Sequence, residues 1–367
     1  MADGGTRGSG GAGGGQPLLT LAIPTYNRSA NLALLLGMIR EEIARLPQIE
    51  LLVSDNASPD DTEQVMHGFL RAGLRCRYLR NATNIQADPN FLQCYTEARG
   101  QYLWIFGDDD VLFPGSLERV VKFLAAGQVD LVYVAPFGFV EEPNERGLAD
   151  PEAAVYGFHD PCEMVHAVGL RGDLVLLSAV IVNKSRVESF AHADFEEGRA
   201  TNLLQLGWTF AALRHLRHGL VFESGLYAVC EKNPQRPFDV VRVFGVNWHW
   251  AAERYLAGDA PLIGAVLRDQ LYSWFPTNWF GMRRKAGQHR LVDPVGQMRP
   301  LYGEFALFWV TAWPLLALPL PVAGAWLVVL RAVRRVDLWL NRRLNRRLDG
   351  RLDGPPDGPL DASAAGR

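Results

Sequence analysis

Tyr102-Leu103-Trp104-Ile105-Phe106-Gly107-Asp108-Asp109-Asp110 is an apolar strand that runs straight into three adjacent carboxylates. Three neighbouring anions repel one another unless a cation neutralises them, so the triplet suggests a hard metal ion. Carboxylate oxygens suit Mg²⁺ or Mn²⁺, which fill their remaining positions with water and phosphate oxygens. For an isolated Asp triplet, a solvated acidic turn or a helix cap is the alternative. The surrounding sequence decides between them.

Towards the N-terminus, residues 18–23 form a short apolar run closed by Pro24. Leu32, Leu35, Leu36, Ile39, Ile43 and Leu46 follow at helical spacing, so strand is succeeded by helix. The pattern repeats with a strand over 49–53, a turn at 56–59, a helix from about 60 to 70 and a strand over 75–79. Asp88 followed by Pro89 predicts an N-cap and first turn for a helix through residue 98. The strand over 101–106 then ends at the triplet, and a helix from about 114 to 126 and a strand over 130–135 come after it. Such alternation predicts an α/β domain with a Rossmann-like, mostly parallel sheet covered on both faces. In such sheets ligands bind beyond the carboxyl ends of the strands. The polar residues fall there: Thr25, Tyr26 and Asn27 after the first strand, Ser54, Asp55 and Asn56 after the second, Arg80, Asn81 and Asn84 after the third, and the triplet after the fourth. That position favours the metal reading. No GxxxxGK[ST] or GxGxxG stands at a strand-to-helix turn, which disfavours a Walker NTPase or a dinucleotide-binding dehydrogenase. No Gly-rich loop precedes the triplet, which disfavours a nucleotidyltransferase.

Together these blocks resemble glycosyltransferase family 2: Ala22-Ile23-Pro24-Thr25-Tyr26-Asn27-Arg28, Val53-Ser54-Asp55-Asn56-Ala57-Ser58, Arg80-Asn81 with Asn84, and Phe106-Gly107-Asp108-Asp109-Asp110. They are most similar to the abequosyltransferase-like branch that builds bacterial surface polysaccharides. The resemblance covers residues 18–137 and implies a GT-A fold, a nucleotide-diphosphate sugar donor, a divalent metal (Mg²⁺ or Mn²⁺) and inversion at the anomeric carbon. Carried over by motif, Pro24, Thr25, Tyr26, Asn27 and Asn84 belong to the nucleotide pocket, and Asp55 binds the base. Asp108 lies near the ribose, and Asp109 holds the metal with Asp110 as second ligand. Two departures stand out: many members have Asp-x-Asp-Asp at the acidic turn, and a glycine where this chain has Gln86.

An inverting transfer needs a group to take the proton of the acceptor hydroxyl. The resemblance implies an acidic residue near the start of the apolar helix over 203–213. Glu197 is expected there, ahead of Asp194 and Glu196, although capping carboxylates would look the same. His192, His215 and His218 lack metal-ligand spacing. Lys232, Arg236 and Arg242 are candidates for binding diphosphate or lipid phosphate, or plain surface charge.

The chain has 367 residues, 48% hydrophobic and 21% charged, so it folds. A net charge of -3 gives no reason to expect nucleic acid. Cys76, Cys94, Cys162 and Cys230 are scattered without a CxxC pair, as reduced, mostly buried thiols are. Eight of the first seventeen residues are Gly, and no apolar h-region follows Met1, which predicts a disordered tail and no signal peptide. Residues 305–330 carry no Asp, Glu, Lys, Arg or His, but Pro314, Pro319 and Pro321 break that stretch. Residues 331–351 hold eight Arg against two Asp. Their Val333, Val336, Leu340, Leu344 and Leu348 recur at helical steps, an interfacial amphipathic pattern suited to anionic lipids.

The expected organisation is therefore a tail over 1–17, a GT-A domain over 18–240 (donor half 18–137, acceptor half 138–240) and a helical extension over 241–304. A re-entrant apolar segment over 305–330, a basic helix over 331–350 and a tail over 351–367 complete it. Trp248, Trp250, Trp274, Phe275, Trp279 and Phe280 suit an aromatic belt or a core equally. The expected partners are the donor, a lipid-linked or oligosaccharide acceptor and membrane lipids, at the cytoplasmic face of the inner membrane. A catalytically weak GT-A-like scaffold in a glycan assembly complex is the other function class.

Overall fold

The computed structural model describes residues 15–137, 139–140, 153–169, 174–190, 194–223, 225–230, 239–284, 291–345 and 351–352. The N-terminal half alternates as its periodicity predicts: β1 (Leu19–Thr25), α1 (Ser29–Arg45), β2 (Ile49–Asp55), α2 (Thr62–Arg71), β3 (Arg77–Arg80), α3 (Ala87–Glu97) and β4 (Tyr102–Ile105). After the acidic turn come β5 (Val111–Leu112), α4 (Ser116–Ala126), β6 (Leu131–Val134), β7 (Phe139–Val140), β8 (Val155–Phe158), α5 (Pro161–Gly169), β9 (Val180–Asn183), α6 (Lys184–Ser189), α7 (Gln205–Arg214), β10 (Gly219–Phe222) and β11 (Tyr227–Cys230). The C-terminal part is helical: α8 (Trp248–Tyr255), α9 (Ala260–Asp269), α10 (Phe275–Arg284), α11 (Pro294–Tyr302), α12 (Trp313–Ala317) and α13 (Leu320–Asn345), then the short β12 (Arg351–Leu352).

Nine strands form one sheet in the order β12-β8-β10-β6-β9-β4-β1-β2-β3. The β3-β2-β1-β4 portion is parallel throughout. β9 runs antiparallel between β4 and β6, and β10 is again parallel to β6. α1 turns Leu32, Leu35, Leu36, Ile39 and Ile43, all buried, onto the sheet, each worth roughly 1.5–3 kcal/mol.

Two local readings are corrected. β1 does not stop before Pro24 but continues to Thr25, in register with Asp55. The missing Pro24 N–H would point to the β4 side, where pairing has already ended at Ala22 opposite Ile105. Asp88 is not the cap of α3: it lies inside the helix, and its Oδ2 accepts from the Asn202 amide at 2.8 Å. Residues 177–179 form a 3₁₀ turn that leads into β9.

The chain makes a sharp entry into β4 at Gly100. A Cβ there would lie 2.5 Å from the Thr20 amide nitrogen, so no larger residue fits without moving β1.

No helix among the described residues is long and apolar enough to cross a membrane. The proline-rich stretch bends at Leu318, which is extended, between α12 and α13. α13 then runs unbroken from the apolar stretch into the arginine-rich one, so the two share a single axis. Its inner side is used within the protein, with Ala323 and Leu327 packing with Leu315 and Phe280. Trp248, Phe275 and Trp279 are buried, so these aromatics serve as core. Phe275 and Trp279 stack at 4.0 Å. Cys94 is buried, and Cys76 and Cys162 are free and half-buried. Most of the 1–17 segment, His192, Lys232, Arg236 and the 353–367 tail lie outside the described residues.

Candidate functional site

The polar blocks meet at the carboxyl ends of β1, β2, β3 and β4. Thr25 ends β1 and donates its hydroxyl to Asp108 Oδ2 at 2.7 Å. Arg28, just before α1, places Nη1 2.7 Å from Asp108 Oδ1 and 3.3 Å from Asp109 Oδ2. Burial pushes the Asp108 carboxyl up to about 6, Arg28 opposes the shift and Asp109 adds to it. Burial also works against the Arg28 charge, but the carboxylates of Asp108, Asp109 and Asp110 outweigh it and hold its pKa above the ordinary value.

Asp110 is held differently. Ser178, in the 3₁₀ turn before β9, donates its hydroxyl to Asp110 Oδ2 and accepts from the Gly107 amide at 2.8 Å. The Trp104 indole donates to the Ser178 carbonyl at 2.8 Å, fixing that turn against β4. Sequence reasoning assigned no role to Ser178 or Arg28. Arg28 stood within a quoted motif, whereas Ser178 carried no signal.

Asp109 Oδ1 and Asp110 Oδ2 both face Gly107, each 3.1 Å from where a Cβ on it would lie, and no group of three or more His, Cys, Asp or Glu placed to hold a metal occurs among the described residues. Asp109 is the more exposed member of the Arg28-bound pair, at 14% against 3% for Asp108. One or two protein carboxylates with room for phosphate oxygens and water is the coordination that Mg²⁺ ordinarily takes, so the residues fit such an ion.

Asp55 ends β2 and is fully buried. Its Oδ1 accepts from the Ser58 amide at 2.8 Å, and its Oδ2 accepts from the Tyr78 hydroxyl at 2.7 Å and lies 3.3 Å from Arg80 Nε. Asn56 organises the neighbouring loop: its amide donates to Asn84 Oδ1 and the Gln86 carbonyl, and its Oδ1 accepts from the Ile85 amide. Asn90 Oδ1 accepts from Ser54 at 2.7 Å and ties α3 to β2. Tyr26 and Asn27 are exposed at the rim, and the Asn27 amide donates to Ser58 Oγ. Positive φ occurs at Asn27 (φ 55°) and Ala57 (φ 59°), two residues past the ends of β1 and β2, and at Gln86 (φ 75°), immediately before α3. Strain of this kind concentrates at binding sites. Gln86 thus adopts the conformation for which the resembled family's glycine is suited.

Asp194, Glu196 and Glu197 lie apart from this cluster in their contacts. Asp194 Oδ1 caps the 3₁₀ turn Phe195–Gly198 by accepting from the Glu196 amide. Glu196 pairs with Arg199 and Glu197 with Arg254, and none of these bonds reaches the acidic turn. The Arg254 hydrogen bonds hold the exposed Glu197 carboxyl below the usual carboxylate range. Asp194 and Glu196 line a cleft of about 910 Å³ with Tyr95, Phe190, Phe195 and Arg254. His215 stacks on Phe190, and His218 lies edge-on to His159. Arg242 is exposed at the start of a π-helical turn.

Comparison with known proteins agrees with this geometry. Residues 20–167 match the glycosyl transferase family 2 domain. Over 190 residues the chain is 39% identical to abequosyltransferase RfbV of Salmonella typhimurium, a match covering 49% of this chain and 56% of that protein. Over 108 residues it is 29% identical to a GalNAc(5)-diNAcBac-PP-undecaprenol beta-1,3-glucosyltransferase of Campylobacter jejuni, covering 29% of this chain and 34% of that one. The matched region thus spans between a third and just over half of these relatives. The crystal structure of S. aureus TarS 1-349 superposes with a TM-score of 0.55 at 15% identity, covering 85% of this chain and 88% of that one. At that identity the likeness shows the fold alone. The chain carries a glycosyl transferase family 2 domain over residues 20–167, built on a GT-A-like α/β fold.

Proposed function

We propose that this protein transfers a sugar, with inversion, from a nucleotide-diphosphate donor to a lipid-linked or oligosaccharide glycan acceptor in bacterial surface polysaccharide synthesis. The observation that carries the proposal is the convergence of Thr25, Arg28, Asp55, Asn56 and the Asp108–Asp110 turn at the carboxyl ends of four parallel strands. The activity named for RfbV and the lipid-linked glycan in the name of the Campylobacter relative support the substrate classes. TarS 1-349 has been crystallised with UDP-GlcNAc, which supports a nucleotide-sugar donor for this fold.

In this reading Pro24, Thr25, Tyr26, Asn27, Asp55 and Asn84 form the nucleotide pocket, with Asp55 facing the base and Asp108 the ribose. Asp109, with Asp110 as second ligand, would hold Mg²⁺ or Mn²⁺. A bound ion there supplies positive charge against the leaving diphosphate. The acceptor oxygen attacks the anomeric carbon as the bond to the donor phosphate breaks, and the hydroxyl proton passes to a carboxylate of the 194–197 turn. Glu197 is the proposed base, ahead of Asp194 and Glu196, and must leave Arg254 to act. A scaffold with weak catalysis is favoured by one observation: all three of these carboxylates are already engaged at the surface.

We also assign the C-terminal helices to a lipid surface, at the cytoplasmic face of the inner membrane. Val322, Val329, Val333 and Val336 are exposed along α13, as is Trp309 before it, and Arg331 and Arg335 are exposed beside them. Apolar residues flanked by arginines suit an anionic interface.

A panel of nucleotide sugars offered to the purified chain with extracted lipid-linked glycan tests the activity, each with Mn²⁺, Mg²⁺ or EDTA. Metal-dependent product with the wild type and none with Asp109→Asn supports the proposal. Near-native transfer by Asp109→Asn, or no transfer from any donor, refutes it.

A further inference from the structure

We propose that Arg28 is a built-in counter-ion that exchanges partners, lying on Asp108 and Asp109 in the free protein and moving to the donor's diphosphate when a divalent cation enters. The inference rests on the metal reading above and concerns what this chain's own guanidinium does about that site.

A single nitrogen, Arg28 Nη1, reaches both carboxylates, at 2.7 Å to Asp108 Oδ1 and 3.3 Å to Asp109 Oδ2. The buried Asp108 needs a positive neighbour, and Arg28 supplies it across 80 residues of chain. The same contact covers an oxygen of Asp109, which is more exposed than Asp108. Two cations at one carboxylate oppose each other strongly at such distances. The ion and the guanidinium therefore compete, and binding of metal alone is weak.

The Arg28 side chain is 30% exposed on a long stem, whereas Asp108 stays anchored by the Thr25 hydroxyl when the guanidinium leaves. A planar fork of N–H donors suits phosphate oxygens. A diphosphate brought beside the acidic turn draws Arg28 away from Asp109 and uncovers it, so diphosphate and metal each promote binding of the other. Arg28 is a positioning residue in this scheme.

The test is Mn²⁺ binding to the full chain, read from the free-ion EPR signal, with no turnover involved. Arg28→Gln is expected to bind Mn²⁺ alone about tenfold or more tightly than wild type. Arg28→Lys, which keeps the charge, should stay within about threefold of wild type. Adding nucleoside diphosphates singly should tighten Mn²⁺ on the wild type and far less on Arg28→Gln. Equal or weaker Mn²⁺ binding by Arg28→Gln overturns the inference, as does a lysine variant that behaves like the glutamine one. If Arg28→Gln fails to fold, Asp108→Asn is compared with Asp108→Asn/Arg28→Met, which removes the pair together. Tighter binding by the double variant supports the exchange, and equal binding overturns it. Asp109→Asn keeps the two readings apart. Loss of Mn²⁺ in that variant alone upholds the metal site whatever Arg28 does. No Mn²⁺ on the wild type, even with nucleoside diphosphate, removes the metal site and the exchange together.

Discussion

Removing the Ser178 hydroxyl tests whether the acidic turn is held in place from outside its own strand. Ser178→Ala breaks a hydrogen bond donated to the Asp110 carboxylate and one accepted from the Gly107 amide. A bond to a charged group contributes roughly 1.5–3 kcal/mol and a neutral one about 1 kcal/mol. Water entering the part-buried turn returns some of this, so the expected loss is about 2–3 kcal/mol. For a chain of 367 residues that is a fall in Tm of roughly 3–4 °C. Freed from Ser178, Asp110 turns out of place, and a shift of about 1 Å at a reacting centre can cost on the order of 10²-fold. Calorimetry on the metal-free protein and steady-state transfer with the best donor read the two effects separately. Ser178→Thr, which keeps the hydroxyl, should recover most of both. A Tm within about 1 °C of wild type together with unchanged kcat would refute the bracing role.

The other expectations concern neighbouring positions. Gln86 sits at φ 75° and ψ 173°, a region natural to glycine, and its bonds to Asn84 and Asn56 use only the backbone. Gln86→Gly should therefore stabilise the protein by about 1 kcal/mol by denaturant melting, and a loss would contradict the strain. Asp55→Asn should raise the donor KM with little change in kcat, since a base contact is made equally in ground and transition states. A selective fall in kcat would remove Asp55 from base recognition. Arg254→Met takes away the cation that holds the Glu197 carboxyl below its usual range, so that pKa rises. If Glu197 is the base, it is then protonated at higher pH and the acid limb of the kcat profile moves upward; an unmoved limb would exclude Glu197. Val329, Val333 and Val336 changed together to Ser should abolish sedimentation with anionic vesicles in high salt while leaving Tm unchanged, because apolar burial is not screened by ions. Full retention on the vesicles would assign lipid contact elsewhere.

Periodicity made the parallel half of the sheet legible, because strand and helix spacing are local properties of the chain. β1, α1, β2, α2, β3, α3, β4 and α4 stand within a few residues of where the apolar pattern puts them. The strand-end rule then located Thr25, Asp55 and Asp108–Asp110 with no contact known. What sequence alone left open is decided by partners far along the chain. Whether Pro24 ends β1 depends on where β4 stops pairing, and Asp88 serves the 200–204 segment where local spacing suggested a cap. The Glu42 carboxylate, buried on α1, accepts from the amides of Leu117 and Glu118 at the start of α4, an N-cap supplied from 75 residues away.

Ser178 reaches Asp110 only because β9 enters antiparallel between β4 and β6, and Arg28 reaches Asp108 only because β1 and β4 are neighbours. Composition shows an apolar stretch and an arginine-rich one, but one continuous helix joins them, with Arg334 donating to the Ser273 and Gly169 carbonyls. A residue's type and spacing determine which element it favours and which chemistry it can perform. The choice of partner for a buried charge depends on which strands lie side by side, and that is settled by the fold as a whole.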